Sequence, residues 1–218
     1  FSNAISFNQN INTWDVSQVT NMARMFSTAN SYNQPMDSWD TSNVTDMSFM
    51  FVHVNTTSPF NQPLNTWDVS NVTNMAQMLA GTSYNHPLDN WDVSQVTDMN
   101  AFFTNTPFNQ PINNWDVGNV ENMAIMFWEA KDFNQPLDNW DVSQVQSMSA
   151  MFRGATSFDQ DLSNWVYHPD VNLGNFINNS AISPSNYDNL LQSIDNQSFN
   201  NLVLGALNIG YCDEVTRS

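Results

Sequence analysis

Apolar and polar residues recur along the chain in one fixed internal pattern. Each copy opens on an aromatic residue, numbered position 0, and apolar residues follow at positions 4, 7, 9, 12, 15, 18 and 19, except for Thr41 at position 9 of the second copy and Asp170 at position 12 of the seventh. Position 7 is a tryptophan in every copy, and consecutive copies are separated by 24–28 residues. These tryptophans are Trp14, Trp39, Trp67, Trp91, Trp115, Trp140 and Trp165. A fixed period of this length is typical of repeat proteins, in which each copy packs only on its neighbours.

The pattern within one copy predicts short elements. The alternation Trp-Asp-Val predicts a strand whose Trp and Val point inward and whose Asp points outward. The following Val-Thr-x-Met predicts a second short strand, and Met-x-x-Met-Phe predicts one helical or 3₁₀ turn. The spacing L-x-x-W-x-V matches that of leucine-rich repeats. We therefore expect a leucine-rich-repeat-like solenoid of about seven coils, built from short parallel β-strands and short helical turns.

The tryptophans are expected to form the structural core of this solenoid. Position 1 is an asparagine in six copies: Asn8, Asn33, Asn61, Asn85, Asn109 and Asn134. We expect these side chains to form an internal ladder that satisfies backbone groups of the next coil, with an exposed polar stripe as the alternative.

The seventh copy departs from the pattern. Val166 replaces the aspartate found at position 8 elsewhere, and His168-Pro169 follows it. Terminal repeats are typically irregular because they close the core. Residues 1–180 are therefore assigned to the solenoid, which starts within a repeat. Residues 181–218 are assigned to a C-terminal capping segment that contains a helix and is expected to be truncated, the chain being a piece of a longer protein with neighbouring repeats.

Composition excludes several classes of function. The chain carries 21 Asp and Glu against 4 Lys and Arg, a net charge of −17. Nucleic-acid binding depends on Lys and Arg that neutralise phosphates, so this class is excluded, as are anionic membrane surfaces. No apolar run is long enough to span a membrane. The single cysteine, Cys212, allows no internal disulfide.

Constellations typical of enzymes are absent from the sequence. His53, His86 and His168 occupy unrelated repeat positions, which suggests neither a metal cluster nor a catalytic triad. No phosphate-binding glycine motif is present. We therefore predict no catalytic residues, no cofactor and no enzyme activity.

The aspartate at position 8 is the first candidate for binding. It recurs as Asp15, Asp40, Asp68, Asp92, Asp116 and Asp141. Stacked coils would bring these carboxylates into a column, where unpaired neighbours repel by roughly 1 kcal/mol or more. Two explanations remain open. Each carboxylate accepts N–H groups of the turn that follows it, or the column binds a cation such as calcium or a cationic partner.

Trp128 is the second candidate, because it is the only tryptophan outside the register. It lies in the variable-length turn between copies. An exposed aromatic there is a reasonable contact for a sugar or a protein, and a partly buried neighbour of the adjacent coil is the alternative.

The repeated string F-N-Q-P-L-x-x-W-D-V-S-x-V-x-x-M-x-x-M-F resembles that of BspA-like leucine-rich-repeat surface proteins, a repeat known from mycoplasma surface lipoproteins and marine bacteria. The resemblance covers residues 1 to about 180. The tail from Ile182 to Leu191, continued by Tyr211-Cys212, is similar to the segment that ends such arrays. The resemblance implies a secreted or cell-surface protein that binds or adheres and has no enzyme activity.

Together, these observations favour a secreted or cell-surface module that presents a binding or adhesion surface to an extracellular protein or glycan. A structural spacer or building block of an extracellular assembly is the alternative. Weaker alternatives are a calcium-stabilised acidic ladder and an ice-binding surface. The ice-binding row would be Thr13, Ser38, Thr66, Asn90, Asn114 and Asn139.

Overall fold

The computed structural model describes residues 1–53, 58–197, 199 and 202–209. Within these ranges the one regular element is a helix, α1 (Pro184–Asn196). Strand pairing in the same ranges is limited to isolated parallel bridges, such as Asn21–Asp46 and Asp46–Asn74, and no sheet forms. The predicted leucine-rich-repeat-like solenoid of parallel β-strands is therefore wrong. The repeats are built from tight turns joined by short extended segments.

The turns explain why the predicted strands do not form. In the first Trp-Asp-Val segment, the backbone N–H of Val19 donates to the carbonyl of Val16, closing a turn directly after the Asp. Trp14 N–H closes another turn onto the Ile11 carbonyl. Two turns this close together leave too few consecutive extended residues for a strand.

A second local feature excludes the predicted helical turn at Met-x-x-Met-Phe. Position 17 has a positive φ of 52–61° in every copy. The residues at this position are Arg24, Phe49, Gln77, Ala101, Ile125, Ala150 and Asn175. A left-handed residue interrupts both helices and strands. The position lies within a turn closed by the Met25 N–H, which donates to the Met22 carbonyl at 3.2 Å.

Successive repeats stack in parallel register and are joined by backbone hydrogen bonds. The N–H groups of Met22, Arg24 and Phe26 donate to carbonyls of Asp46, Ser48 and Met50, at 2.8–2.9 Å. The same three positions repeat this pairing through most of the stack. The predicted hydrogen bonding of the asparagine ladder is confirmed: each side-chain Oδ1 accepts the N–H of the equivalent residue in the next repeat, at 3.0 Å from Asn33 to Asn8 and from Asn134 to Asn109. The ladder is not internal, because its asparagines are exposed or half-buried.

Aromatic rings of equivalent positions stack on one another inside the repeats, as Trp91, Trp115, Trp140 and Trp165 do. Six of the register tryptophans are at most 4% exposed, whereas Trp14, in the first repeat, is 48% exposed. Each buried indole N–H donates to the position 4 carbonyl of the preceding repeat, as in Trp115 to Leu88 at 3.0 Å. The polar edge of each indole is therefore satisfied within the core.

The two ring columns differ in spacing. Trp115 and Trp140 have ring centroids 6.5 Å apart, whereas Phe127 and Phe152, at position 19, are 5.5 Å apart. The backbone hydrogen bonds from positions 15, 17 and 19 to the next repeat lie beside the phenylalanine rings and hold the repeats closer there.

The C-terminal segment packs directly on the seventh repeat. Ser183 caps α1, and its N–H donates to the Asp159 carboxylate at 2.7 Å. Asp159 stands where earlier repeats have the ladder asparagine, so the ladder continues into the helix cap. Residues 202–209 add one more layer, with the Ile177 N–H donating to the Gly205 carbonyl at 3.0 Å. A helix thus lies in the segment expected to contain one, while Tyr211 and Cys212 fall outside the described residues.

Candidate binding surface

The aspartates at position 8 form a column of exposed side chains on the Trp-Asp-Val side. In all six, Oδ1 accepts the backbone N–H of the residue two positions later, at 3.0–3.1 Å. In the first three copies the serine hydroxyl also donates to this oxygen, at 2.6 Å. The local turn is therefore present at every one of these aspartates, and it occupies one oxygen of each carboxylate.

The second oxygen of each carboxylate points away from this turn. No protein group in the described ranges donates a hydrogen bond to Oδ2 of these six aspartates. One oxygen of each carboxylate is therefore fixed by the fold, and the other remains available to solvent or a partner.

Hydrogen bonding from serine favours the ionised form of the first two aspartates of the column. The serine hydroxyl first, and then the serine N–H, lowers the pKa of Asp15 and of Asp40. The charge of Asp15 acts in the opposite sense on the pKa of Asp40, as expected for neighbours in a column. The lowered pKa values of Asp15 and Asp40 keep this end of the column charged at neutral pH.

Replacing Ser42 with alanine should raise the pKa of Asp40, because it removes the donor that most strongly favours the ionised form. Carboxyl-carbon NMR titration measures this pKa directly. A depressed folded-state pKa stabilises the fold above the unfolded value of about 3.9. That contribution is lost as the pH falls through the folded value, and Ser42→Ala should reduce it. The matched control, Ser38→Ala, should leave the Asp40 pKa unchanged, and an unchanged pKa in Ser42→Ala would contradict the assignment.

A second row of charge lies two residues before the tryptophans, at position 5. Asparagine and aspartate alternate there from repeat to repeat. The row consists of Asn12, Asp37, Asn65, Asp89, Asn113 and Asp138. Each asparagine donates its side-chain N–H to the next aspartate, at 2.9–3.0 Å. This row lies outside the predicted sites, although the alternation is visible in the sequence.

We call the position 8 column and the three aspartates of the position 5 row the acidic face. Cations lie elsewhere on the repeat. Arg24 packs over the Phe49 ring at 4.2 Å. The single ion pair in the described part of the chain joins Lys131 to Glu129 at 3.7 Å, and both side chains are exposed. Neither row of the acidic face contains a lysine or an arginine.

Metal binding lacks a suitable arrangement of ligands. In the residues that the structure describes, no three His, Cys, Asp or Glu side chains converge closely enough to hold a metal ion. Calcium takes six to eight oxygen ligands. The calcium-stabilised ladder thus has no ligand cage within this part of the chain.

Trp128 lies away from the acidic face. The side chain of Trp128 is 39% exposed. This exposure lies between the two predicted states, a fully exposed contact residue and a buried neighbour of the adjacent repeat. Its carbonyl accepts the Asn105 N–H at 2.7 Å, and the neighbouring Glu129 N–H donates to the Arg153 carbonyl at 2.8 Å. No hydrogen bond or ring contact among the described residues joins Trp128 to an aspartate of the acidic face.

The histidines do not converge either. His53 is buried, and burial lowers the pKa of its imidazole. His86 contacts the Asn61 carbonyl at 2.9 Å, and His168 accepts the Asp170 N–H at 3.1 Å.

The row proposed for ice binding is partly engaged within the stack. The Thr66 hydroxyl donates to the Asp37 carbonyl at 3.2 Å, and the Asn114 amide donates to the Asp89 carbonyl at 2.8 Å. These groups are not free to order water on a flat surface.

Comparison with known proteins identifies one family. A family model described as "Mycoplasma protein of unknown function, DUF285" matches residues 1–89 and again residues 80–189. No curated protein and no solved structure matches the chain. No helix in the described ranges is long and apolar enough to cross a membrane.

Proposed function

The chain belongs to the family described as Mycoplasma protein of unknown function, DUF285. We propose that it is a non-enzymatic surface module that binds a cationic partner. The acidic face is the binding surface. The observation that carries the proposal is the column of six exposed aspartates, each fixed through one oxygen and open at the other.

The scaffold supports this role because it holds the carboxylates rigidly. Each Asp follows a tryptophan of the register, and from the second repeat onward that indole is buried, stacked and hydrogen-bonded, as at Trp140. The turn to the following residue then fixes the Asp rotamer. A partner that binds such a surface does not have to order it first, which reduces the entropic cost of association.

The charge distribution favours a cationic partner. Six carboxylates in one row, reinforced by Asp37, Asp89 and Asp138, produce a negative potential without interspersed cations. Potentials of this kind accelerate association with oppositely charged partners and weaken as salt is added. A basic segment of an extracellular protein has the chemistry that such a face recognises.

A location at the cell surface or outside the cell is part of the same proposal. It is supported by the resemblance of the repeat to that of BspA-like surface proteins. The absence of catalytic activity is proposed from the sequence, in which the titratable side chains recur as rows rather than as one unique acid–base pair.

The proposal is tested with a lysine homopolymer as probe. Binding is measured by calorimetry at low salt and at physiological salt, using the wild-type chain and a variant carrying Asp→Asn at four column positions. These positions are Asp40, Asp68, Asp92 and Asp116. Asparagine can still accept the turn N–H through its side-chain oxygen, so the fold should be retained. We expect at least a tenfold loss of affinity.

The matched control removes the same charge elsewhere. Four exposed aspartates outside the acidic face are replaced by asparagine: Asp132, Asp170, Asp188 and Asp195. Net charge changes equally in the two variants. An equal loss in both would show that only total charge matters and would overturn the assignment to the acidic face. No binding by the wild-type chain would overturn the proposed function and favour a purely structural spacer.

A further inference from the structure

A groove of about 410 Å³ lies along the contact between the seventh repeat and α1. It lies beyond the end of the aspartate column. Its walls are Ser163, Asn164, Trp165 and Val166 from the repeat, and Asn189, Gln192, Ser193, Asn196 and Gln197 from the helical side. The volume is within the range of small-molecule binding sites in proteins.

The lining of this groove is uncharged. Every other repeat has an aspartate at position 8, but the seventh has Val166, whose side chain is 63% exposed at the groove. The acidic face therefore ends where the groove begins. A valine side chain left this exposed offers an apolar contact to whatever enters.

Hydrogen bonds hold both walls of the groove in place. The Gln197 side chain donates to the Trp165 carbonyl at 3.0 Å and accepts the Tyr167 N–H at 2.8 Å. The Ser193 hydroxyl donates to the Ser163 carbonyl at 2.7 Å. The groove is thus formed before any ligand arrives.

Three amide side chains in the lining do not take part in the hydrogen bonds that hold the walls. Within the described residues, the side chains of Asn164, Gln192 and Asn196 make no hydrogen bond to the protein. Each amide presents donors and an acceptor side by side, which matches a pair of neighbouring hydroxyl groups.

We propose that this groove binds a neutral sugar residue, with its hydroxyl groups on the free amides and its C–H face on Val166. The lining has no cation to receive an acidic sugar. One of its residues, Asn189, donates its side-chain amide to the Asp161 carboxylate at 3.1 Å. Uncharged pyranosides combine an apolar face with paired hydroxyls, as this lining requires. The site is independent of the proposed function, since it shares no residue with the acidic face.

The test uses methyl glycosides of glucose, galactose and N-acetylglucosamine as probes at millimolar concentration. Binding is followed by NMR, and affinity is measured by calorimetry. We expect at least one probe to bind with shifts centred on the groove residues. Gln192→Ala combined with Asn196→Ala should weaken that binding about tenfold or more. Both residues are exposed on α1 or at its end, and alanine favours helix, so the variant should fold.

The control is Asp188→Ala with Asp195→Ala, two exposed α1 residues that do not line the groove. This variant should bind the sugar as the wild type does. Absence of binding by all three glycosides, or equal affinity in the two double variants, would overturn the proposal. Binding of the lysine homopolymer should be unchanged in the groove variant, so failure here is distinct from failure of the acidic face.

Discussion

Trp115→Ala is expected to destabilise the protein by about 3–5 kcal/mol, because it removes a large side chain from the middle of the buried stack. Trp115 is 2% exposed and stacks between Trp91 and Trp140, at 6.4 and 6.5 Å. Truncation opens a cavity within a ring column and separates the repeats on both sides. It also leaves the Leu88 carbonyl without the indole N–H that it accepts. The measurement is chemical denaturation in urea, followed by circular dichroism.

The chain offers a matched control for this substitution. Trp14 occupies the same repeat position but is 48% exposed, and its ring contacts Phe1 at 5.7 Å in a tilted arrangement. Trp14→Ala should cost about 1 kcal/mol or less. Equal losses in the two variants would show that burial within the column is not what stabilises the stack.

Gly81→Ala is expected to cost about 2–4 kcal/mol, from backbone strain and from a steric collision. Gly81 has a φ of +71°, a conformation in which a side chain is strained. An added Cβ would also collide with the carbonyl oxygen of His53, which is backbone of the neighbouring repeat and cannot rotate away. Relief would require disturbing the hydrogen bonds from Gly81 N–H to Thr104 and from Ser58 N–H to Gly81, both 2.8 Å.

Gly118→Ala serves as the comparison for this prediction. Gly118 does not have a positive φ, and the nearest atom to an added Cβ is an Asp116 carboxylate oxygen at 3.3 Å. We expect a change within about 1 kcal/mol of wild type. Thermal unfolding of the two variants under identical conditions measures the difference. If the Gly81→Ala and Gly118→Ala variants have the same melting temperature, the close contact with His53 is not a constraint on the fold.

The register of the repeats could be predicted from the sequence, but their local conformation could not. Spacing places the tryptophans and the asparagine ladder, because both depend only on equivalent residues meeting in successive repeats. The conformation of Trp-Asp-Val is decided by competition between a strand and an Asp-Ser turn, and alternation alone cannot resolve it. The left-handed residue at position 17 is harder to predict, since Phe49 and Ile125 are residue types that seldom adopt positive φ.

Of the two candidate sites, the aspartate column could be predicted from the sequence and the groove beside α1 could not. The aspartate column follows from the repeat, and the turn that occupies one carboxylate oxygen is one of the two explanations that the sequence leaves open. The sugar groove depends on how α1 docks against the seventh repeat, which no periodic argument describes. Its single signal in the sequence is Val166, the one departure from aspartate at position 8.

The alternation of asparagine and aspartate at position 5 bears on how such an array can change its length. Asn65 separates the carboxylates of Asp37 and Asp89. Loss of one repeat by recombination would set two of these aspartates, or two asparagines, side by side. Loss or gain of two repeats would preserve every amide–carboxylate pair. An array that keeps this row intact therefore gains or loses repeats two at a time, in steps of about fifty residues.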